Sequence, residues 1–364
     1  MSQYHQIALS FLPRIGDVTA RALLNYCGNA EEIFRTKKSH LQKIPGIGSV
    51  TAEAILNHQV FDRAEKELKF IEKYKIKTLF YSDSNYPKRL RTCYDAPVLL
   101  YYKGNANLDQ TKVVSVVGTR KATEYGKELC AMLIRGLQVH NPVVISGLAY
   151  GIDGCAHKEC LKNDISTVGV LAHGLDRIYP AQHRQLAEKM LSLGGLLTEF
   201  PSETIPDRVN FPERNRIIAG LSDVTIVVEA SKKGGALITA EIANSYNRDV
   251  FAFPGRNTDE FSEGCNHLIK TNRANLLSSV ADLEYLLGWN EVQADKNKPQ
   301  LSLLIDLTEN EQKIADILKE KGITGVDQLA LLTQLPQSKL AVTILEMEMQ
   351  GYLIAMPGKT YKLA

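Results

Sequence analysis

The sequence predicts an α/β protein: an extended Rossmann-like, doubly wound and mostly parallel sheet, flanked by an N-terminal helical domain and a C-terminal winged helix. Short apolar runs alternate with helical stretches from Lys112 onward, a pattern typical of parallel strands covered on both faces. Residues 1–75 instead contain helical stretches joined by glycine turns, without the alternation expected of strands. The C-terminal residues read as three helices followed by a short hairpin, which is the order of a winged helix.

A chain of 364 residues exceeds the usual size of one compact domain, so boundaries are expected where the composition changes. We predict a helix-hairpin-helix or SAM-like domain at 1–75 and an extended Rossmann-like domain at 76–290. A polar linker at 291–301 then leads into the winged-helix domain at 302–364.

In the N-terminal domain, residues 12–24 and 44–56 repeat one order: an apolar residue, a glycine turn and a helix that opens with Val-Thr-Ala. The second repeat resembles a helix-hairpin-helix, whose turn at residues 45–48 presents backbone N–H groups that can hold a DNA phosphate. The alternative is a helical module that uses the same turn for packing alone.

Residues 76–104 are aromatic and irregular and contain two proline breaks, so we expect an extension that lies against the sheet domain. The predicted strands are KVVSVVG, PVVISG, STVGVLA, GLLTEF, VTIVVEA, DVFAFPG and ANLLSS. Ligands of such sheets bind beyond the carboxyl ends of the strands, so the residues after each run are the candidate site.

The first of these strands ends in a turn, Gly118-Thr119-Arg120, that departs from a dinucleotide site. The G-x-G-x-x-G pattern is missing, and an arginine stands where a second glycine would let pyrophosphate approach. Glycine turns also follow other strands, at residues 146–149, 173–176 and 254–256. Together they predict a rim of backbone N–H donors and small side chains, which is a natural anion site.

Within residues 207–223, Arg208, Arg214 and Arg216 flank Phe211. Arginine can bind a phosphate through two hydrogen bonds and an aromatic ring can stack on a base, which is the combination that single-strand binders use. Because the formal net charge is only +2, a nucleic-acid surface must depend on such local clusters. The alternative is that Arg214 and Arg216 form internal salt bridges while Phe211 belongs to the core.

We predict neither a bound metal nor a cofactor. Asp153, His157 and Cys160 lie close in sequence, but the zinc-binding spacings are missing, so Asp153 is expected to cap a helix and His157 to be a hydrogen-bonded helix residue. The six scattered cysteines indicate reduced thiols. Without a signal-peptide pattern or an apolar run of membrane-spanning length, the simple expectation is a cytoplasmic protein with no membrane contact.

Six motifs occur in a fixed order: VVGTRKATEYG, SGLAYGIDGCAH, GLDRIYPAQHRQL, FPERNRIIAGLS, GGALITAEIA and FPGRNTDEFSEGCNHLI. With them the chain resembles the DNA-processing protein A (DprA/Smf) family from Ile76 to about Leu277, and both flanking domains fit members of that family. The resemblance implies a non-enzymatic homodimer that binds single-stranded DNA without marked sequence preference. It also implies that the protein protects incoming DNA during natural transformation and loads RecA recombinase on it.

The resemblance also assigns roles to single residues. It implies that Arg120 contacts a backbone phosphate while Gly118 and Thr119 shape its turn. Ser146 and Gly147 are then expected beside the phosphates.

In the F-P-x-R-N-R motif, Arg208 is expected to bind a second phosphate and Phe211 to contact a base. The remaining DNA-binding residues expected from this motif are Arg214, Asn215 and Arg216.

The chain departs from the family pattern at three places that bear on the DNA path. Ala181 follows Tyr179-Pro180 where many relatives have a basic residue. Residues 234–237 read G-G-A-L where S-G-S-L is usual, and residues 272–274 read N-R-A where G-A is usual. Arg273 brings a positive charge to the last of these places.

The charge of the winged helix leads to a separate hypothesis. Residues 302–364 contain six lysines, no arginine and eight acidic residues, and the expected recognition helix at 336–350 sets Lys339 against Glu346 and Glu348. A helix that binds DNA should be more basic. We therefore hypothesise a protein-contact or accessory role for this domain.

The rival interpretation is an enzyme that acts on a small nucleotide, such as a phosphoribohydrolase on a related fold. Such enzymes carry P-G-G-x-G-T-x-x-E, of which only Gly234, Gly235 and Glu241 stay in register here. Lys233 replaces the proline and Leu237 the third glycine. Glu241 would serve as the general base, although it fits an ordinary polar helix face equally well.

Overall fold

The structure is a computed structural model that describes residues 3–289 and 307–364. The linker predicted at 291–301 lies outside the described residues. The helices of the N-terminal domain are α1 (Gln3–Ser10), α2 (Asp17–Cys27), α3 (Ala30–Arg35), α4 (Lys38–Leu41), α5 (Ser49–Leu56) and α6 (Phe61–Tyr74). Both α2 and α5 begin directly after a glycine, as the repeated pattern predicts. Their apolar faces bury Leu23 and Ile55 in one core with Ile7 and Ile33.

A nine-stranded mixed sheet lies at the centre of the molecule, in the order β1-β2-β6-β5-β4-β3-β7-β8-β9. Its strands are β1 (Lys77–Phe80), β2 (Leu99–Gly104), β3 (Val113–Val117), β4 (Val143–Gly147), β5 (Thr167–Val170), β6 (Gly195–Thr198), β7 (Val224–Val227), β8 (Asp249–Ala252) and β9 (Asn275–Leu276). The seven strands β3 to β9 pair with one another in parallel. All the apolar runs predicted as strands form strands.

Helices cover both faces of this sheet, as a doubly wound fold requires. They are α7 (Lys88–Arg91), α8 (Glu124–Leu137), α9 (Ile152–Lys162), α10 (Arg184–Leu193), α11 (Asn210–Leu221), α12 (Gly235–Ser245), α13 (Glu263–Lys270) and α14 (Val280–Leu287). Successive residues of β3 alternate between two cores: Val113 and Val117 belong to one, Val114 and Val116 to the other. No helix among the described residues has the length and hydropathy needed to cross a membrane.

Residues 76–104 lie against the sheet domain, as predicted, but the expectation that this segment is irregular is wrong at both of its ends. This segment contributes β1 and β2, which pair with each other in antiparallel fashion, and β2 also pairs with β6 in that sense. Tyr101 and Tyr102 are buried on opposite faces of β2, one against the N-terminal domain and the other against the sheet core. The aromatic residues are therefore those of a strand covered on both faces, and Pro87 and Pro97 lie between β1 and β2.

The C-terminal domain is a winged helix, as predicted. It comprises α15 (Glu309–Lys321), β10 (Thr324–Gly325), α16 (Val326–Thr333), α17 (Gln337–Met349), β11 (Leu353–Met356) and β12 (Thr360–Leu363). Thr308 and Glu311 form the predicted capping box at the start of α15.

The winged helix packs at the amino ends of the parallel strands. Asp327 of α16 pairs with the buried Arg248, and the Lys359 ammonium lies 3.5 Å from Asp249, the first residue of β8. Its Nζ also donates to the Asn247 carbonyl oxygen at 2.8 Å. This domain therefore lies at the end of the sheet opposite to the carboxyl edge where the candidate site was predicted.

Candidate nucleic-acid interface

The turn after β3 directs Arg120 into solvent. A Cβ on Gly118 would lie 2.5 Å from Ile152 Cγ1, so the close contact of the turn with α9 requires glycine. The Thr119 N–H donates to the Glu229 carbonyl oxygen at 2.7 Å, and the Thr119 carbonyl accepts from the Ile152 N–H at 3.1 Å. With both backbone groups of Thr119 held, the Arg120 side chain is exposed at the carboxyl edge of the sheet.

The N-terminus of α8, where a dinucleotide fold holds pyrophosphate, is occupied by the protein itself. Glu229 is buried, and its carboxylate accepts from the Thr123 N–H at 3.0 Å and the Thr123 hydroxyl at 2.5 Å. A Cβ on Gly126 would lie 2.1 Å from this carboxylate. The negative charge that stabilises this helix end is thus internal, and a phosphate has no room there.

Arg120 lies over the ring of Phe211, with 4.9 Å between Cζ and the ring centroid. The Arg214 guanidinium lies 5.9 Å from the same centroid, and the Tyr179 ring is 6.4 Å away. A cation above an aromatic face is attracted by the ring quadrupole, which holds both groups in place. Together with Tyr150, these side chains line one concave surface at the carboxyl ends of β3, β4 and β5.

Arg214 forms the buried floor of this concave surface. Its guanidinium donates to the Val170 carbonyl oxygen, and its Nε donates to Asn215 Oδ1 at 3.3 Å. Burial lowers the pKa of Arg214 to about 10, although the nearby Asp153 opposes the shift. Burial also raises the pKa of Asp153, against the attraction of Arg214. This cation is only partly compensated within the protein, so an acidic group in the concavity would stabilise it.

Two residues predicted to bind DNA are engaged within the protein, Ser146 as a buried residue and Arg216 as a half-buried one. Ser146 is fully buried, and its hydroxyl donates to the Val116 carbonyl oxygen at 2.6 Å, so it cannot reach a phosphate. The Arg216 guanidinium pairs with Asp17 of α2 at 3.0 Å and with Glu199 after β6. For Arg216 the internal salt bridge, left open as the alternative, is what the structure contains.

Gly147 and Arg208 have different places around the interface. A Cβ on Gly147 would lie 2.4 Å from Asp153 Oδ2 and 2.6 Å from Arg214 Nη1, so glycine is needed to admit these two side chains. Arg208 is exposed in the loop before α11, three residues from the half-buried Phe211. Asn215 is half-buried and orients Arg214 through the hydrogen bond to its Nε.

The residues considered for metal binding or acid–base chemistry are engaged elsewhere. His157 is buried; its Nε2 donates to the Gly147 carbonyl at 2.6 Å and its Nδ1 accepts from the Thr167 hydroxyl at 2.7 Å, while burial lowers its pKa to about 4. Asp153 lies in the first turn of α9, whose cap is Gly151, so its predicted capping role is wrong. Exposed Glu241 pairs with Arg273 at 3.0 Å, which also offsets the positive charge expected there.

Sequence reasoning missed Tyr150, Tyr179 and Glu229. Tyr179 adjoins the Tyr-Pro motif and Tyr150 follows the glycine turn after β4, so both were marked by position although not by chemistry. Glu229 ends the apolar run of β7, and a carboxylate at such a place is a signal that a charged partner or helix end lies nearby.

Comparison with known proteins finds matches for three ranges of the chain. A family model described as DNA recombination-mediator protein A matches residues 77–287, a SAM-like helix-hairpin-helix tandem matches 7–58, and a DprA winged helix domain matches 298–359. Protein Smf of a Synechocystis species is 35% identical over 311 residues, which cover 77% of this chain and 78% of that protein.

Two solved structures are also similar. The X-ray structure of DNA processing protein A from Streptococcus pneumoniae has a TM-score of 0.67 and 33% identity, and the match covers 78% of this chain and 97% of that one. DNA processing protein A from Helicobacter pylori, whose structure is described as showing a single-stranded DNA binding mode, has a TM-score of 0.52 and 30% identity. That match covers 57% of this chain and 93% of the other.

Proposed function

Because the chain belongs to the DNA recombination-mediator protein A family, we propose that it binds single-stranded DNA at the carboxyl edge of its sheet. The observation that carries this proposal is the cluster of Arg120, Phe211 and Arg214, which sets an exposed cation, an aromatic ring and a buried cation around one concavity. Phosphate binding by arginine and base stacking on a ring are the two contacts that a single strand offers.

In this proposal Arg120 and Arg208 bind phosphates, because both are exposed arginines beside Phe211 in space or sequence. Phe211 contacts a base, and Arg214 adds positive potential from below. Gly118, Thr119 and Gly147 shape the rim, whereas Asn215 orients Arg214. Ser146 and Arg216 have no direct contact with DNA and support the fold.

We extend the proposal to the wider role that membership of the family suggests. The protein protects incoming single strands during natural transformation and loads RecA recombinase on them as a homodimer, acting as a binding protein and not as an enzyme. The winged helix is accessory to strand binding, since it packs at the opposite end of the sheet from Arg120. Residues 302–364 contain more acidic than basic residues, which also favours an accessory role, because a DNA-binding helix should be basic.

The nucleotide-hydrolase alternative has less support. Glu241, its candidate base, is paired with Arg273 and does not line the concavity that contains Arg120. Release of free base from nucleoside monophosphates, abolished by Glu241→Gln, would favour that enzyme over a binding protein.

A titration of the protein with a labelled single-stranded oligonucleotide, at two salt concentrations, tests the proposal. Unlabelled duplex and free nucleotides serve as competitors. We expect the single strand to bind best, with an affinity that falls as salt rises because counterions are released from the phosphates. Equal competition by free nucleotides would overturn the proposal.

A further inference from the structure

The N-terminal domain contacts both ends of residues 202–216, the segment that contains the proposed DNA contacts Arg208 and Phe211. Asp17 of α2 pairs with Arg216, and Glu67 of α6 binds Ser202. Between these two anchors lie the loop that contains Arg208 and the first turns of α11 that contain Phe211. A helical domain that does not line the concavity is thus joined directly to the segment that forms one wall of it.

The Glu67 carboxylate is the more unusual of the two anchors, because its side chain is only 1% exposed. It accepts from the Ser202 N–H at 3.0 Å and from the Ser202 hydroxyl at 2.5 Å. Arg63, one turn earlier on α6, pairs with it at 2.8 Å and donates to the Ser202 carbonyl oxygen at 2.5 Å. Ser202 is therefore held through its N–H, its carbonyl and its hydroxyl by a single ion pair of the N-terminal domain.

The contacts of Glu67 with Ser202 help to fix the backbone of the next residue, Glu203. Glu203 has a φ of 72°, a left-handed conformation that residues other than glycine seldom adopt. Its N–H donates to Asp176 Oδ1 at 3.0 Å, so the N–H groups of Ser202 and Glu203 are each held by a carboxylate from a different part of the chain. Such a conformation persists only where its surroundings fix it from several sides.

The loop that follows depends on this starting direction. The Thr204 carbonyl accepts from the Gly174 N–H at 3.2 Å, and Asn210 donates to the Ala172 carbonyl oxygen at 3.2 Å and to the Ile205 carbonyl oxygen at 3.4 Å. A turn at residues 207–210 closes the loop, with the Asn210 N–H donating to the Asp207 carbonyl oxygen at 3.2 Å. Between these points, Ile205 and Val209 are largely exposed, and Arg208 is exposed as well. The direction in which the chain leaves Glu203 and the turn at residues 207–210 together set where Arg208 lies relative to Phe211.

We propose that Glu67 is a positioning residue for DNA binding: by fixing Ser202 and the left-handed Glu203, it holds Arg208 on the same face as Arg120 and Phe211. This inference rests on the proposed function. In this view the N-terminal domain stabilises the DNA-binding surface from outside it. A substitution at a buried residue of α6 then alters the affinity for single-stranded DNA although α6 does not line that surface.

The test is Glu67→Gln in the full-length protein, with Glu65→Gln as the matched control. Glu65 lies on the same helix, but it is exposed, and its one ion pair within residues 3–289 and 307–364 is with Lys69, at 2.7 Å. In Glu67→Gln the side-chain amide can accept from the Ser202 N–H but cannot also accept from both the Ser202 hydroxyl and Arg63. Ser202→Ala, which removes the two hydrogen bonds of the hydroxyl, to Glu67 and from Arg63, and keeps those of the backbone, is the milder second variant in case Glu67→Gln folds poorly.

For Glu67→Gln we expect the dissociation constant for a labelled oligothymidine to rise roughly tenfold, the effect of losing one charged hydrogen bond. The plot of log affinity against log salt should become less steep by about 0.7, which is the contribution of one phosphate contact on a single strand. Ser202→Ala should weaken binding less, and Glu65→Gln should leave it unchanged. Hydrogen exchange of residues 202–209 in the free protein should speed up in both Glu67→Gln and Ser202→Ala.

A double-mutant cycle separates positioning from general loosening. If Glu67 acts through Arg208, Glu67→Gln should have no further effect on affinity in an Arg208→Ala background but should add to Arg120→Ala. Full additivity with Arg208→Ala would overturn the inference, and so would unchanged affinity alongside faster exchange. A wild-type protein that fails to bind the oligothymidine would overturn the proposed function and this inference together, whereas wild-type binding with an unaffected Glu67→Gln variant overturns the inference alone.

Discussion

The Arg120 guanidinium lies 4.9 Å from the centre of the Phe211 ring, although the two residues come from the turn after β3 and the start of α11. This contact joins a group suited to a phosphate with a group suited to a base. A strand that crosses the carboxyl edge of the sheet would meet both at once. The proposed function therefore predicts separable electrostatic and stacking contributions to affinity.

Replacing the ring isolates the stacking contribution. Phe211→Leu keeps an apolar side chain of similar volume but loses the aromatic face, so affinity for single-stranded DNA should fall by roughly 1–3 kcal/mol. The salt dependence should keep the contribution of Arg120, because the backbone hydrogen bonds of Thr119 hold its turn without the ring. Fluorescence anisotropy at several salt concentrations measures both quantities. An affinity equal to that of the wild type would show that Phe211 does not contact a base.

The winged helix should be dispensable for strand binding. Asp327→Ala leaves Arg248 buried without its partner, which should lower the free energy of unfolding by roughly 3–5 kcal/mol. Single-strand affinity should stay within about a factor of two, or less than about 0.5 kcal/mol. Asp316→Ala, an exposed position on α15, is the stability control.

Thermal unfolding and anisotropy together check this expectation. Deletion of residues 302–364 is the stronger test: a clear loss of DNA affinity, with the oligomeric state unchanged, would show that this domain takes part in binding.

The buried His157 should make the free energy of unfolding decrease in acid. Burial lowers its pKa to about 4, below the ordinary value near 6.5, so between these values the unfolded chain binds more protons than the folded one. The stabilisation is complete above about pH 6.5 and is lost as the pH falls toward about 4. From about pH 7 to about pH 5 the loss should reach roughly 2 kcal/mol.

Urea unfolding of the wild type and of His157→Gln measures this effect. The glutamine amide can still donate to the Gly147 carbonyl but does not titrate in this range. The variant should therefore show a weaker pH dependence than the wild type. An equal dependence in both proteins would assign the acid sensitivity to other groups.

Much of the fold could be predicted from local patterns. The parallel strands are continuous apolar runs, and Thr308 with Glu311 marks a helix start by chemistry that acts over three residues. The aromatic β2 was not recognised, because Tyr101 and Tyr102 pack against two different cores and so show no alternation. A strand covered on both faces by separate domains has no distinct periodic signal.

The candidate site could be predicted only in part, because some of its residues depend on partners that are distant in sequence. Arg120 was identifiable, since an arginine in place of a glycine is a local departure from a known turn. The place of Arg216 depends on Asp17, which lies in another domain, and the place of Ser202 depends on Glu67. Composition and spacing do not reveal which distant carboxylate an arginine will meet, and that partner decides whether it is an internal or a DNA-binding residue.

The most direct test of the central claim is the affinity of Arg120→Ala for a labelled single-stranded oligonucleotide, measured by anisotropy at two salt concentrations. Arg135→Ala is the matched control, because Arg135 is an exposed arginine at the far end of α8. We expect Arg120→Ala to lose roughly tenfold or more in affinity, with a salt slope smaller by about 0.7 and an unchanged circular dichroism spectrum. An affinity and salt slope equal to those of Arg135→Ala and the wild type would contradict the assignment of this edge as the DNA-binding surface.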